Sequence, residues 1–287
     1  MAVTRAHRSV RVRGVAVGGV VAAVVLLAAG CAGAEDDEHP DRKSFALQGR
    51  TLTVDSDDSA LELVAADVKE VRVTRWFSGE VVVGDDPKVT WKVDGDRLVL
   101  RKKCSGMIAN CSLKHRIEVP RGIAVKVENG DGSVTARGFR TAVDVHSGDG
   151  SVRVTESSGP LNLRTDDGSV RVDEASGPLT LRTGDGSIRA SGIEARRVKA
   201  STGDGSVHLE LGVVPDLVES QTKDGSISIA LPRDAQGSAK GSGEVSYRVS
   251  AESNDGSVDV SVPRADDSPH VVSARTGDGK ITVKSAN

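Results

Sequence analysis

The sequence predicts an all-β chain, a parallel, β-helix-like β-solenoid with rungs of about 18 residues behind an irregular β-rich N-terminal part. Three observations carry that reading. Asp-Gly recurs at Asp131, Asp149, Asp167 and Asp185 with a spacing of 18 residues, and again at wider spacing at Asp204, Asp224, Asp255 and Asp278. Within one period, Val152 and Val154 alternate with Ser151 and Arg153, and Leu161 and Leu163 with Asn162 and Arg164. Glu156 to Pro160 and Asp166 to Gly168 break these runs, so the pattern is strand, turn, strand, turn, and the glycines exclude helix. Finally, the few aliphatic groups of one rung cannot offset the entropy of ordering it, so each rung needs neighbours above and below. An antiparallel barrel or sandwich would explain the strands but leave the period without a cause.

The elements follow in chain order. Residues 1–30 carry Arg5, His7, Arg8, Arg11 and Arg13 ahead of an apolar and small-residue run, Val15 to Ala29. That run has the length of a signal-peptide core and is short for a bilayer span of ~20 residues. It ends in Leu27-Ala28-Ala29-Gly30-Cys31, which resembles the lipobox of bacterial lipoproteins, with Ala28 where leucine is usual. The resemblance implies cleavage before Cys31 and lipidation of its thiol. The alternative is an ordinary signal peptide or an uncleaved anchor with an incidental cysteine; the small Ala29 and Gly30 favour the lipid.

Residues 31–44 are polar and acidic and read as a flexible tether. Residues 45–128 are strand-like but irregular, with a hairpin from Val89 to Lys102 turning at Asp94-Gly95. They hold both tryptophans, Trp76 and Trp91, and are expected to form the first turns and cap of the same solenoid. Cys104 and Cys111, with six residues between them, suit a disulfide in an exported chain; a metal site would need more ligands than His115 adds.

Residues 129–287 are the repeats, one continuous domain with the part before. One inward column is expected through Val134, Val152, Val170, Ile188, Val207, Ile227, Val258 and Ile281, in that order. A second runs through Val143, Leu161, Leu179, Val198, Val218 and Val272. Insertions such as Ala235 to Gly243 fall between strands. Lys280 and Lys284, in the last strand, are expected to protect the end of the stack from edge-to-edge pairing.

Chemistry is sparse. The net charge of −3 and the lack of a basic, aromatic patch argue against nucleic acid. A calcium ladder on Asp131, Asp149, Asp167, Asp185 and Asp204 is the sharp alternative to plain turns, but hard cations want six or more oxygens and each rung offers one carboxylate. As plain turns, glycine supplies positive φ, aspartate accepts from its own backbone and serine helps close the turn. Arg153, Arg171 and Arg189 form one ladder, and Arg164 and Arg182 a second on the other sheet; either could meet an anionic polymer, or simply be a solvated strand face. No cofactor is expected. The six histidines lack metal spacing, no G-x-S-x-G elbow occurs, and aromatics for sugar stacking make up only 2% of the chain, so an enzyme is not expected.

Ile117-Glu118-Val119-Pro120-Arg121-Gly122, then Val125-Lys126-Val127 and Asn129-Gly130-Asp131-Gly132-Ser133-Val134, resemble the bacterial putative adhesin family, an exported β-solenoid group. Strand-Pro-Arg recurs at Leu231-Pro232-Arg233 and Val262-Pro263-Arg264. The resemblance implies a cell-surface or envelope-associated solenoid; taken with the lipobox, the expected protein is anchored by lipid on the extracytoplasmic face of the cell membrane and acts as an adhesin or envelope scaffold on a cell-wall or surface ligand. Two other classes stay open: an envelope-stress accessory with a membrane-protein partner, and a glycan-active β-helix enzyme, which would need a groove with converging acids.

Overall fold

Period-two alternation folds into two sheets that face each other across a single apolar core. The computed structural model describes residues 37, 39–81, 83–106, 109–234 and 244–286, which belong to one compact unit, Ala32–Asn287. Segment 1–30, Cys31 and the insertion at 235–243 lie outside the described residues.

Strands of the N-terminal part are β1 (Asp41–Phe45), β2 (Thr51–Ser56), β3 (Ala60–Ala66), β4 (Val71–Val81), β5 (Lys88–Asp94), β6 (Arg97–Lys103) and β7 (Ala109–Pro120). The repeats supply strand pairs, each split by an Asp-Gly turn. These are β8 (Ala124–Asn129) with β9 (Val134–Arg137), β10 (Val143–Ser147) with β11 (Val152–Ser157), β12 (Leu161–Thr165) with β13 (Val170–Ala175), and β14 (Leu179–Thr183) with β15 (Ile188–Ile193). Then come β16 (Arg197–Ser201) with β17 (Val207–Leu211), β18 (Leu217–Gln221) with β19 (Ile227–Leu231), β20 (Arg248–Asp255) with β21 (Val258–Ser261), and β22 (Val271–Asp278) with β23 (Ile281–Ser285).

Both inward columns exist. Val134, Val152, Val170, Ile188, Val207 and Ile227 are vertical neighbours in parallel register, and so are Val143, Leu161, Leu179, Val198, Val218 and Val272. Their alternation puts every second side chain out of water, the burial that makes stacking favourable.

The layers are not stacked in chain order, which corrects the expected columns. Ile227 is followed by Ile281, and Val258 lies beyond it. The last coil of the chain, β22–β23, is inserted between β18–β19 and β20–β21. The start is interleaved in the same way: β2–β3 lies between β6–β7 and β8–β9. Strand-Pro-Arg marks three of the departures. Pro120-Arg121 leads from β7 past β3 to β8, Pro232-Arg233 from β19 past the β23 layer, and Pro263-Arg264 from β21 back to β22. A proline has no N–H for the ladder, so it releases the chain there. Gly122 makes the first of these turns at φ +86° with open space where a Cβ would stand. Lys280 and Lys284 therefore sit inside the stack and do not guard its end.

The far end is closed by antiparallel strands, β1 on β4, β4 on β7 and β5 on β6. Trp91 packs there under Lys43 and Arg75, 4.6 and 4.8 Å from its ring centroid. Residues 41–44, read as the end of a tether, are thus strand: the polar side chains of β1 stay in solvent while its backbone pairs with β4. A disulfide joins Cys104 to Cys111 across the β6–β7 turn, with Cα atoms 6.3 Å apart.

The Asp-Gly turns hold by a different device from the one expected. Except at Gly279, the repeat glycines are not in the left-handed region. They are required by contact: a Cβ on Gly150, Gly168, Gly186, Gly205 or Gly225 would run into the carbonyl oxygen of the glycine one layer before. Three residues ahead of each glycine stands a hydroxyl or amide, at Asn129, Ser147, Thr165, Thr183, Thr202, Thr222, Ser253 and Thr276. The Thr165 Oγ1 lies 2.7 and 2.9 Å from the carbonyls of Gly148 and Gly150, the Thr183 Oγ1 donates to Gly168 at 2.7 Å, and the Thr202 Oγ1 donates to Gly186 at 2.7 Å. Within its own turn the N–H of Gly168 donates to Thr165 at 3.2 Å, and that of Gly186 to Thr183 at 3.2 Å.

Two predictions follow from this packing. Gly168→Ala should lower stability by about 3 kcal/mol, the upper range of overpacking, whereas Gly95→Ala, at φ +56° with open space around it, should cost about 1 kcal/mol. Thr183→Val should cost ~1–3 kcal/mol by stranding the Gly168 carbonyl and the Gly186 N–H. Thermal unfolding checks all three, and equal losses at Gly95 and Gly168 would contradict the contact argument. His115, fully buried on β7, has no partner at either ring nitrogen. Burial first, then Arg75, pushes its pKa down to about 3. Between about 6.5 and 3 the unfolded chain takes up a proton the folded one refuses, so stability falls with pH by up to about 1.4 kcal/mol per unit from this residue. His115→Leu should remove that part of the slope, measured by denaturant titration at pH 7 and pH 4.5.

Candidate functional site

Every layer has two turns, and they differ in freedom. The Asp-Gly edge is locked by the glycine contacts. On the opposite edge the chain passes from β11 to β12 and from β13 to β14, and there the backbone bulges. Thr155 pairs with Asp173 and Ser157 with Ala175, so Glu156 and Glu174 are left out of the register. Both adopt left-handed φ, 54° and 60°, and the equivalent positions above and below are Gly138 at 78° and Gly192 at 62°. The bulge turns Ser157 and Ala175 into the core and leaves the glutamates in solvent. A non-glycine residue held there costs of order 1 kcal/mol, and two successive layers carry it.

These bulges border an open groove of about 770 Å³. Arg121, Arg137 and Arg140 line it together with Glu156, Glu174 and Glu194. Arg137 donates to Glu156 at 2.5 Å, which raises the guanidinium pKa further, and Arg121 donates to Asp67 at 2.6 Å. Ser158 and Ser176 add hydroxyls between the charges. The groove therefore offers charges of both signs among small and polar residues, a surface for a ligand that carries both acidic and basic groups.

The arginines read from the repeats lie elsewhere. Arg153, Arg171 and Arg189 are vertical neighbours on the outer face of one sheet, and Arg164 and Arg182 on the other. The two ladders do not converge. Asp173 takes Arg171 at 2.9 Å, Arg153 at 3.4 Å and the Ser191 hydroxyl at 2.8 Å. Partial burial is the largest single influence on Asp173 and pushes its pKa up, but these partners together hold it below the ordinary value. Arg164 reaches Asp166 at 3.5 Å. One carboxylate thus serves two arginines of the first ladder, and one in the turn after β12 serves an arginine of the second.

Asp131, Asp149, Asp167, Asp185 and Asp204 form an exposed column along the Asp-Gly edge. The hydroxyl ladder closes their turns, and nothing in the structure requires aspartate there. Among the described residues no group of three or more His, Cys, Asp or Glu side chains is placed to hold a metal ion.

Sequence reasoning treated Glu156 to Pro160 as a plain break and missed the groove. A signal was present: at 18-residue spacing the position reads Gly138, Glu156, Glu174, Gly192, and glycine at the same place in the two flanking layers marks a left-handed backbone.

Two solved structures are similar to this chain at low identity. A putative cell adhesion protein from Clostridium sporogenes is 14% identical, over 86% of this chain and 100% of that one, with a TM-score of 0.28. A putative adhesin from Parabacteroides merdae is 12% identical, over 87% and 97%, with a TM-score of 0.40. No curated protein matches the chain. Residues 33–285 match the family described as Toastrack DUF4097, and the chain belongs to that family.

Proposed function

We propose that this chain is an exported surface protein, lipidated at Cys31 and held on the extracytoplasmic face of the cell membrane, whose solenoid binds a cell-wall or surface ligand through the groove beside Glu156 and Glu174. The role is adhesion or scaffolding, without turnover. One observation carries the reading: two layers hold a glutamate in a strained backbone conformation next to Arg137 and Arg140. Strain of this kind concentrates at functional sites. The mixed charges suit a polymer bearing both amino and carboxyl groups, as cell-wall peptides do.

Binding is measured by co-sedimentation with purified cell-wall sacculi. The double variant Arg137→Ala/Glu174→Ala should weaken binding about tenfold or more, the effect of removing two charge-assisted contacts, while Arg171→Ala on the outer ladder leaves it unchanged. Equal loss from the ladder variant, unchanged binding in the groove variant, or consumption of the sacculi would each overturn the reading. The anchor is tested separately. Cys31→Ser should move the protein out of the membrane fraction and abolish incorporation of labelled fatty acid; unchanged labelling would assign the membrane attachment to another part of the chain.

A further inference from the structure

The end closed by antiparallel strands is the basic end of the stack. Its outermost strands, β1 and β5, carry Arg42, Lys43, Lys88 and Lys92 against Asp41 and Asp94. At the opposite end β20 and β21 carry Arg248 against Glu252, Asp255 and Asp259. The strand next to β5, β6, adds Arg97, Arg101, Lys102 and Lys103 with no carboxylate. Arg97 and Arg101 are taken by Asp55, and Arg75 by Asp41. Lys88, Lys92, Lys102 and Lys103 join no ion pair among the described residues. Moreover, Lys88 stands directly opposite Lys103, a like-charge pair that weakens the sheet. Lysine on an edge strand guards against further pairing, but that need ends with β5 and gives no reason for Lys102 and Lys103 one strand in.

Apolar groups lie among these cations. Phe45, Val73, Trp91, Val93 and Leu98 line a slot of about 310 Å³ with Lys43, and Val93 is 43% exposed. Tryptophan and lysine beside an apolar opening are the composition of surfaces that sit at the headgroup level of a bilayer. The chain also enters the fold here. The N–H of Phe77 on β4 donates to Asp37 at 3.1 Å, which ties the residues ahead of β1 to that strand. Cys31 precedes Asp37 by six residues, a span of at most about 20 Å. Lipidation of Cys31, proposed above, would keep a bilayer within reach of this end, and the docking below rests on that lipidation for proximity alone.

We propose that the β1–β5 end docks on the headgroup surface of anionic lipid, with the unpaired lysines against lipid phosphates and the Trp91 slot at the acyl boundary. Charge complementarity selects this occupant: the cations without protein partners gather at the end where the chain comes in, and the carboxylates at the end away from it. A basic surface beside a lipid anchor adds an electrostatic attraction that holds the folded body against the membrane instead of leaving it free on its tether.

The test uses the full chain, purified from membranes and reconstituted in vesicles that contain a trace of lipid with a nitroxide headgroup. Thr90→Cys, exposed on β5, and Asp259→Cys, exposed on β21, each receive a fluorophore. In an equal mixture of phosphatidylcholine and phosphatidylglycerol, quenching at Thr90→Cys should be about threefold or more above that in phosphatidylcholine alone, and molar salt should remove the difference. The label at Asp259→Cys should not respond. Lys88→Gln/Lys92→Gln/Lys103→Gln should abolish the response at Thr90→Cys, and Lys88→Arg/Lys92→Arg/Lys103→Arg should keep it. The lipid and salt arms are read with the lysines in place, so they decide the matter even where the glutamine variant misfolds. Equal quenching in the two lipids, an equal response at Asp259→Cys, a response that survives molar salt, or a full response in a folded glutamine variant would each overturn the docking. Self-quenching at Thr90→Cys without vesicles would overturn it in favour of a second copy at this end. Quenching is read whether or not fatty acid is found on Cys31, so failure of the anchor and failure of the docking are told apart.

Discussion

One contact governs the molecule: turn packed on turn along the Asp-Gly edge, so close that only hydrogen fits between a glycine and the carbonyl of the glycine below it. A parallel sheet needs its strands one spacing apart, and the turns must keep the same spacing or the strands splay. Glycine makes that approach sterically possible. It also leaves carbonyls facing the next layer without a strand partner, and the threonine and serine hydroxyls ahead of each turn take up that hydrogen bonding from inside the core. Geometry and polar satisfaction are thus solved by two residues three apart, repeated in every layer from β8–β9 onward.

With one edge so constrained, variation is free on the other. Bulges, insertions and charges gather at the turns running from β9, β11, β13 and β15 into the next layer, where left-handed positions and mixed ion pairs shape a groove. The outward strand faces, by contrast, meet part of their own charge, as Asp173 does between Arg153 and Arg171. A rigid edge that sets spacing and a permissive edge that carries a site is a division common to scaffolds that display loops.

The repeat was legible because its cause is local. Val152, Val170 and Ile188 each sit in the same short pattern, and an 18-residue period translates directly into vertical neighbours. The disulfide and the hairpin at Asp94-Gly95 were legible for the same reason, as short-range features with few alternatives. Layer order was not. Nothing near Val258 says that Ile281 will lie inside it, since register depends only on matching inward columns, and those columns are alike in every layer. The nearest thing to a written instruction is strand-Pro-Arg at Pro120, Pro232 and Pro263, seen first as a family likeness and found in the structure at points where the chain leaves its neighbour. The role of glycine was misassigned because a sequence shows that Gly168 is needed without showing whether φ or proximity needs it. His115 and the strained glutamates were hidden because their character comes from distant strands.

The interleaving of the final coil has a consequence for chain integrity. Because β22–β23 fills an interior position, loss of the last two dozen residues would open a vacancy within the pile, with β20–β21 stranded beyond it. Completion of the structure therefore waits for β22–β23, and a product ended before that coil would carry a gap between β18–β19 and β20–β21.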